Sequence, residues 1–157
     1  MKIAVSTDHA GFEAVKQLVS FLEEIGHEVV DYGPKEYVAT DDYPDFIRPC
    51  AEAVASGECE VGIIFGMSGQ GEAMVANRVK GVRCGLYYGK QTAHSDQSED
   101  PYEILRLNRQ HNNANMLSIG ARFVKFDEIK EAVRIWLETP FSEDERHQRR
   151  INKIDEV

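Results

Sequence analysis

Short apolar runs alternate along this chain with stretches in which apolar residues recur at helical spacing. The runs are four to six residues long and rich in β-branched side chains, which is typical of buried strands in a parallel sheet. They predict five strands, over Lys2–Ser6, His27–Tyr32, Val61–Phe65, Val82–Tyr87 and Met116–Ile119.

The stretches between the runs predict amphipathic helices. In the first, Phe12–Ile25, the apolar residues Val15, Leu18 and Leu22 share one face, and Gly26 ends the helix. Comparable patterns predict helices over Pro44–Ser56, Glu72–Val79, Gln91–Asp96, Tyr102–Arg109, Phe126–Leu137 and Glu143–Ile154.

Alternating strands and helices predict an α/β fold with helices on both faces of one parallel sheet. We expect three layers (α/β/α), a doubly wound five-stranded sheet of order 2-1-3-4-5, and a C-terminal helix. At 157 residues the chain suits a single domain, residues 1–157. Ligands of such sheets bind where the strand order reverses, here at the carboxyl ends of strands one and three.

A glycine-rich segment follows the third strand at that edge. We call it the glycine loop; it comprises Met67, Ser68, Gly69, Gln70 and Gly71. Its backbone N–H groups could receive an anion or a developing oxyanion. The loop lacks the Gly-Lys-Ser/Thr of a nucleotide-binding loop and the glycine spacing of a dinucleotide fingerprint. Gln70 stands where a hydrolase elbow needs glycine, so Ser68 is a poor acyl-transfer nucleophile.

Glu72, directly after this loop, has two interpretations. It could complement the dipole of the helix that begins there. Alternatively it is a general base beside an oxyanion site, the pair needed to move a proton next to a carbonyl. The local sequence leaves both open.

Other side chains could take part in the same chemistry. Asp8 and His9 form an acid–base pair at the end of the first strand, although an aspartate there could simply cap a helix. Tyr43 and His111 lie in predicted loop or helix-entry segments and could be structural.

Basic residues cluster near the C-terminus of an otherwise acidic chain. Arg146 and Arg150 are four residues apart, so they share a helix face and could bind a phosphate, with His147 between them. A solvated basic helix end is the alternative. Arg122, after a strand-ending glycine, could supply a third cation.

Composition narrows the range of partners. A net charge of −9 argues against general binding to nucleic acid or to anionic membranes. The first residues enter a strand directly and no run reaches membrane-spanning length, so we expect a cytoplasmic protein. Cys50, Cys59 and Cys84 lack metal-ligand spacing and are expected to be reduced, so no metal is predicted.

Ordered motifs across nearly the whole chain resemble those of the type B ribose-5-phosphate isomerases, a family that includes the galactose-6-phosphate isomerase subunits. They are Asp8-His9-Ala10-Gly11, Asp42-Tyr43-Pro44, Gly69-x-Gly71, Ala76-Asn77-Arg78-Val79-x-Gly81-x-Arg83, Arg109-x-His111-Asn112-Asn113-Ala114-Asn115, Gly120-x-Arg122 and Arg146-His147-Gln148-Arg149-Arg150.

The resemblance implies that ribose 5-phosphate and ribulose 5-phosphate interconvert through a cis-enediolate, without metal or organic cofactor. It implies ring opening by His111 with Asp8, and proton transfer by Glu72. The resemblance further implies that the substrate is contacted by the glycine loop, which includes Ser68, and by His9, Tyr43, Asn112, Arg122, Arg146, His147 and Arg150.

Two features depart from the common family pattern. Many members have a cysteine base in the glycine loop, whereas Met67 or its neighbour stands here, so the chain is similar to the branch with a glutamate base. A polar insertion between about Ser95 and Asn108 precedes His111, and we expect it to be mobile.

The substrate class and assembly stay open at this stage. Another phosphorylated aldose, a hexose 6-phosphate or a tetrose phosphate, is possible, as is a non-catalytic module that binds a sugar phosphate. Relatives are homodimers or dimers of dimers with shared sites. Strand five was placed at the far edge of the sheet, so we expect His111, Asn112 and Arg122 to act on a partner's Glu72.

Overall fold

The computed structural model describes residues 1–94, 98–154 and 156, and within them one parallel sheet forms the middle layer. Every predicted strand is present with its ends shifted by at most two residues. The strands are β1 (Lys2–Ser6), β2 (Glu28–Asp31), β3 (Val61–Gly66), β4 (Cys84–Tyr87) and β5 (Met116–Gly120).

The sheet order is β2-β1-β3-β5-β4, so the predicted order of the last two strands is wrong. All five residues of β5 are buried, whereas three of the four residues of β4 are only half-buried. A strand covered throughout lies inside a sheet, and the partly exposed one lies at its edge. As a result β5 pairs directly with β3, and Gly66 is in register with Gly120.

Six α-helices cover the two faces of the sheet in the described part of the chain. They are α1 (Phe12–Glu24), α2 (Tyr43–Ala55), α3 (Gln70–Ala76), α4 (Glu103–Asn112), α5 (Phe126–Glu138) and α6 (Glu145–Asn152), and a 3₁₀ turn over His9–Gly11 precedes α1. One core cluster lies beneath α1 and α5 and includes Trp136. The other lies beneath α2 and includes Ile47. The three-layer prediction is therefore confirmed.

Helix α3 is displaced relative to its prediction over Glu72–Val79. It begins at Gln70 because Gly69, with φ of 75°, turns the chain through the left-handed region that favours glycine. It ends after Ala76, where the side-chain amide of Asn77 donates to the carbonyls of Ala73 and Cys84.

The segment before α4 contains the first part of the predicted insertion, and the two ends of this segment are tied together. The Gln91 N–H donates to the Pro101 carbonyl at 3.1 Å. The Lys90 N–H donates to Glu128 at 2.8 Å, and the Tyr102 hydroxyl donates to Glu131 at 2.5 Å, both on α5. Residues 91–94 are not helical, against prediction, while residues 95–97 lie outside the described part. Residues 103–108, expected in a mobile insertion, form the first part of α4.

Within the described residues, no helix is long and apolar enough to cross a membrane.

The centre of the sheet should carry much of the stability. Ile63 on β3 is completely buried, so Ile63→Ala should lower the free energy of unfolding by about 2–5 kcal/mol, through lost burial and a residual cavity. Ile154 is 50% exposed, so Ile154→Ala should change the free energy of unfolding by only about 0.5 kcal/mol. Urea titrations of both variants measure the difference, and equal losses would contradict this account of the core.

Candidate active site

The carboxyl ends of β1 and β3 lie side by side, as the doubly wound topology predicts, and Glu72 faces them from α3. A Cβ built on Gly66 would lie 2.0–2.2 Å from the carboxyl atoms of Glu72. The carboxylate therefore occupies the space that any larger residue at position 66 would fill. Glu72 is only 5% exposed, so the site holds an acidic group almost out of contact with water.

This environment changes the acidity of Glu72. Burial raises the pKa of its carboxyl above the ordinary value of 4.5, and the negative charge of Asp8 raises it further. A hydrogen bond from the Glu72 backbone N–H and the charge of His9 oppose that shift. A carboxylate with a raised pKa is a better proton acceptor than an ordinary one, as a general base requires.

The glycine loop is held by a hydrogen bond from strand β5 and by another within the loop itself. The Ser118 hydroxyl of β5 donates to the Gly69 carbonyl at 2.7 Å, and the Gln70 N–H reaches the Ser68 hydroxyl at 3.4 Å. The hydroxyl of Ser68 thus lies at the start of α3. Met67 is 43% exposed.

Tyr43 packs directly on this loop from the first turn of α2. A Cβ built on Gly71 would lie 2.9 Å from the phenol oxygen of Tyr43, so the ring rests against the backbone. Tyr43 and Gly71, both of which were predicted to contact the substrate, are therefore neighbours.

His9 is held by two carboxylates, one of which the sequence analysis missed. Its Nδ1 lies 2.6 Å from Asp41 Oδ1 and 3.5 Å from Asp8 Oδ2. Asp8 also accepts from the Ala10 N–H at 2.9 Å, which is the expected cap. Asp41 went unnoticed because it precedes Tyr43 in what reads as a helix entry. Only the fold places this loop beside the end of β1.

The Asp8, His9 and Asp41 side chains have ligand atoms within 4.8 Å of one another, close enough to hold a metal ion. In this structure, however, His9 Nδ1 and Asp41 Oδ1 are hydrogen-bonded to each other at 2.6 Å, so these two atoms are engaged with each other rather than arranged around a metal. The short Nδ1–Oδ1 distance is that of a charge-assisted hydrogen bond, with a proton between the two atoms.

Arg122 belongs to the same half of the site as Glu72. Its backbone N–H donates to the Met67 carbonyl at 3.2 Å, because β5 pairs with β3 and both strands end at this edge. Its charge also acts on His9. The expectation that Arg122 lies far from its own Glu72 rested on the wrong strand order and is itself wrong.

His111 lies elsewhere, in the last turn of α4 rather than in the predicted loop. Its ring is 4.1 Å, centre to centre, from that of His147 on α6, and the Nδ1 of His147 is 2.9 Å from the Ser142 hydroxyl. Burial, and then the charge of His111, lower the pKa of His147. A pocket of about 310 Å³ is lined by both histidines together with Asn112 and Arg150.

The basic helix α6 presents its arginines to solvent. Arg146 forms an ion pair with Asp144 at 3.0 Å, and the Asp144 side chain caps the helix. Arg150 is exposed and lines the His111 pocket. The structure therefore brings Arg150, His147 and His111 together, as a phosphate-binding group would require.

The predicted site residues thus form two groups within one chain. Glu72, its neighbours and Arg122 lie at the carboxyl end of β5, whereas α4 delivers His111 and Asn112 just before the amino end. Strand β5 is five residues long, so the two groups are separated by about 13 Å along the strand direction.

A doubly wound parallel sheet with a buried carboxylate at its switch point, and with arginines near both groups, defines an α/β enzyme for a small anionic ligand. The family model of the Ribose/Galactose Isomerases matches residues 3–154. The chain belongs to this family, which confirms the resemblance found in the sequence.

Individual relatives give the same result. The chain is 38% identical to ribose-5-phosphate isomerase B of Mycolicibacterium paratuberculosis, over 99% of its own length and 91% of the relative's. It is 35% identical to ribose-5-phosphate isomerase B of Escherichia coli, over 99% of its own length and 95% of that relative's.

Solved structures of the family also superimpose closely. The Clostridium thermocellum ribose-5-phosphate isomerase B matches with a TM-score of 0.87 at 36% identity, covering 99% of this chain and 96% of the other. The Mycoplasma genitalium ribose-5-phosphate isomerase B, solved with bound ribulose-5-phosphate, matches with a TM-score of 0.86 at 35% identity. That match covers 98% of this chain and 93% of the other.

Glu72 should reduce the stability of the fold that holds it. Because its folded-state pKa is raised, its ionised form is disfavoured at neutral pH, and Glu72→Gln should raise the free energy of unfolding there. The gain should shrink as the pH falls through the raised pKa, and vanish below the unfolded-state pKa. Denaturant titrations at several pH values measure it. Glu36→Gln, at an exposed position, should show no such gain, and an equal gain would contradict the burial argument.

Proposed function

We propose that this protein interconverts ribose 5-phosphate and ribulose 5-phosphate, as the names of its relatives indicate for those proteins. The observation that carries the proposal is the Glu72 carboxylate, buried against Gly66 beside the glycine loop. A group placed in this way suits the transfer of a proton next to a carbonyl. A binding module would not need a buried carboxylate that costs stability.

The reaction begins with opening of the furanose ring. A proton must reach the ring oxygen while another leaves the anomeric hydroxyl. His111 supplies the acid, and Asp8, which is 5% exposed at the end of β1, assists from the other group.

Glu72 then removes the proton from C2 and returns it to C1, and a second proton passes from the hydroxyl at C2 to the oxygen at C1. The negative charge that develops on the enediolate oxygens is stabilised by the N–H groups of the glycine loop. Ser68 and Asn112 hold the sugar hydroxyls, and Tyr43 closes one side of the loop. In this scheme the glutamate takes the part that a cysteine has in many family members. None of these steps calls for a metal or an organic cofactor.

The phosphate is held away from the reacting carbons. Arg122, Arg146 and Arg150, with His147 and His9, supply cationic or hydrogen-bonding groups for it. Binding the phosphate at a distance orients C1 and C2 against Glu72 and lowers the entropic part of the barrier.

Both groups of residues can act on one small substrate only if two chains contribute to each site. The predicted strand order implied that the two groups were separated across the sheet. In the structure they are separated instead along β5, by about 13 Å. We therefore infer a homodimer, alone or within a dimer of dimers, in which His111 and Asn112 act on the Glu72 of the other chain. Such an enzyme would work in the cytoplasm, as one domain over residues 1–157.

The choice among phosphorylated aldoses depends on how the site accommodates carbon-chain length. The protein segment between Lys90 and Glu103 leads into α4, which carries His111. It is therefore the segment best placed to determine which length of sugar the site accepts. Kinetic constants for tetrose, pentose and hexose phosphates, measured on one preparation, decide between ribose 5-phosphate and its analogues. Failure to isomerise any of them would favour the binding module.

Replacement of the base should stop the reaction but not binding. Glu72→Gln should lower turnover by at least about a hundredfold, because a general base contributes that much or more, while substrate affinity stays within a few-fold. Ser68→Ala should be milder. Steady-state kinetics and substrate titration of both variants measure the two quantities. If Ser68→Ala were the inactive variant, the chemistry would be nucleophilic and the assignment of Glu72 wrong.

Complementation tests whether sites are shared. Glu72→Gln and His111→Ala should each be inactive, but refolding them as a mixture should restore up to about a quarter of wild-type activity, because half of the dimers are mixed and each holds one intact site. The control is each variant refolded alone. If mixed dimers form, as native mass spectrometry would detect, and activity does not return, each site lies within one chain.

A further inference from the structure

We propose that Asp41 is a positioning residue that holds the His9 ring through Nδ1, so that the other ring nitrogen, Nε2, serves as a hydrogen-bond donor to an anionic oxygen of the substrate. Asp41 carries no role in the function proposed above. The inference rests on that function only in taking the oxygen to belong to a phosphorylated sugar.

The contact between the two residues is close and twofold. Asp41 Oδ1 accepts from His9 Nδ1 at 2.6 Å and from the His9 backbone N–H at 3.2 Å. The side chain of Asp41 is 8% exposed, so solvent screens the pair poorly. With Nδ1 engaged by Asp41, Nε2 is the ring nitrogen that remains to donate to a ligand.

The loop that contributes Asp41 also fixes the plane of the ring. Tyr37 meets the His9 ring edge-on at 6.4 Å between centres, and it meets Phe12 of α1 at 5.9 Å. The Asp41 N–H closes the loop on the Val38 carbonyl at 3.1 Å. His9 is thus in contact with Asp41, Asp8 and Tyr37, while its side chain stays 29% exposed.

The charges around His9 explain why Asp41 is needed. Asp8 at the end of β1 and Asp41 in the loop before α2 favour the imidazolium, and Glu72 on α3 adds a third acid within reach. Arg122, in the turn after β5, opposes it. The hydrogen bond to Asp41 is the largest influence, and together with both carboxylates it raises the pKa of His9 above 6.5 despite desolvation and Arg122.

Two cations therefore face the same edge of the sheet, which is unfavourable in the absence of an anion. Bound between His9 and Arg122, a phosphate or enediolate oxygen would be attracted by both. Asp41 stabilises the arrangement before the anion arrives. Its second oxygen, Oδ2, is buried and accepts no hydrogen bond from any residue that the structure describes, so the carboxylate acts chiefly through Oδ1.

The pH dependence distinguishes this role from a structural one. In Asp41→Asn the pKa of His9 should fall. Between the variant's pKa and the wild-type pKa only wild-type His9 is charged, so the affinity defect should be largest there. It should shrink at lower pH, where the variant regains its proton, and at higher pH, where the wild type loses it.

Inorganic sulfate is the probe, because it remains a dianion throughout the range in which histidine titrates. Its dissociation constant, measured by calorimetry, should be about tenfold higher for Asp41→Asn within that window, as expected for the loss of one charge-assisted hydrogen bond. The KM for ribose 5-phosphate should rise more than kcat changes. Glu36→Gln, which removes an exposed charge from the same loop, should leave all of these values unchanged.

Direct titration completes the test. The chain has five histidines, and NMR identifies the His9 imidazole by its loss in His9→Asn. The inference requires its pKa to lie above 6.5 in the wild type, to fall in Asp41→Asn and to recover at least partly in Asp41→Glu. An unchanged His9 pKa in folded Asp41→Asn, or a sulfate defect constant with pH, would overturn it. Because sulfate binding and NMR need no turnover, the result stands whether or not the isomerase assay succeeds.

Discussion

The placement of one carboxylate against one glycine constrains the rest of this site. Glu72 can lie beside the end of β3 only because Gly66 has no side chain, and it reaches that position only because Gly69 turns the chain through φ of 75°. The strand, the turn and the start of α3 therefore have to be considered as one unit. Burial in that unit raises the pKa of the acid, so the geometry that excludes water also makes Glu72 a stronger base.

The pairing of β5 with β3 determines which residues share that environment. It brings Arg122 to the glycine loop and leaves His111 at the opposite end of the same strand. A single chain therefore holds two separate groups, one built around an acid and one around two histidines whose rings are in contact.

Much of the fold was predictable from the spacing of apolar residues alone. Strands buried on both faces appear in the sequence as short apolar runs, and the helices that cover them appear as amphipathic stretches. The ends of α3 and the order of β4 and β5 were not predictable in this way, since they depend on Asn77, on a glycine in the left-handed region and on how far each strand is covered. The sequence motifs pointed to candidate site residues, and their roles stay predictions. Asp41 was not among them, because its importance arises from a contact 32 positions away. His111 was identified by type but assigned to a loop, although it lies in the last turn of α4.

The tied ends of the segment before α4 have a consequence for how this protein can change during evolution. The hydrogen bond between Gln91 and Pro101, and the anchors of Lys90 on Glu128 and of Tyr102 on Glu131, hold the two ends of this segment together without involving the residues between them. Doubling the length of a flexible loop adds only about 0.6 kcal/mol of closure entropy. Residues can therefore be gained or lost there at little cost in stability, while α4 and its histidine keep their place.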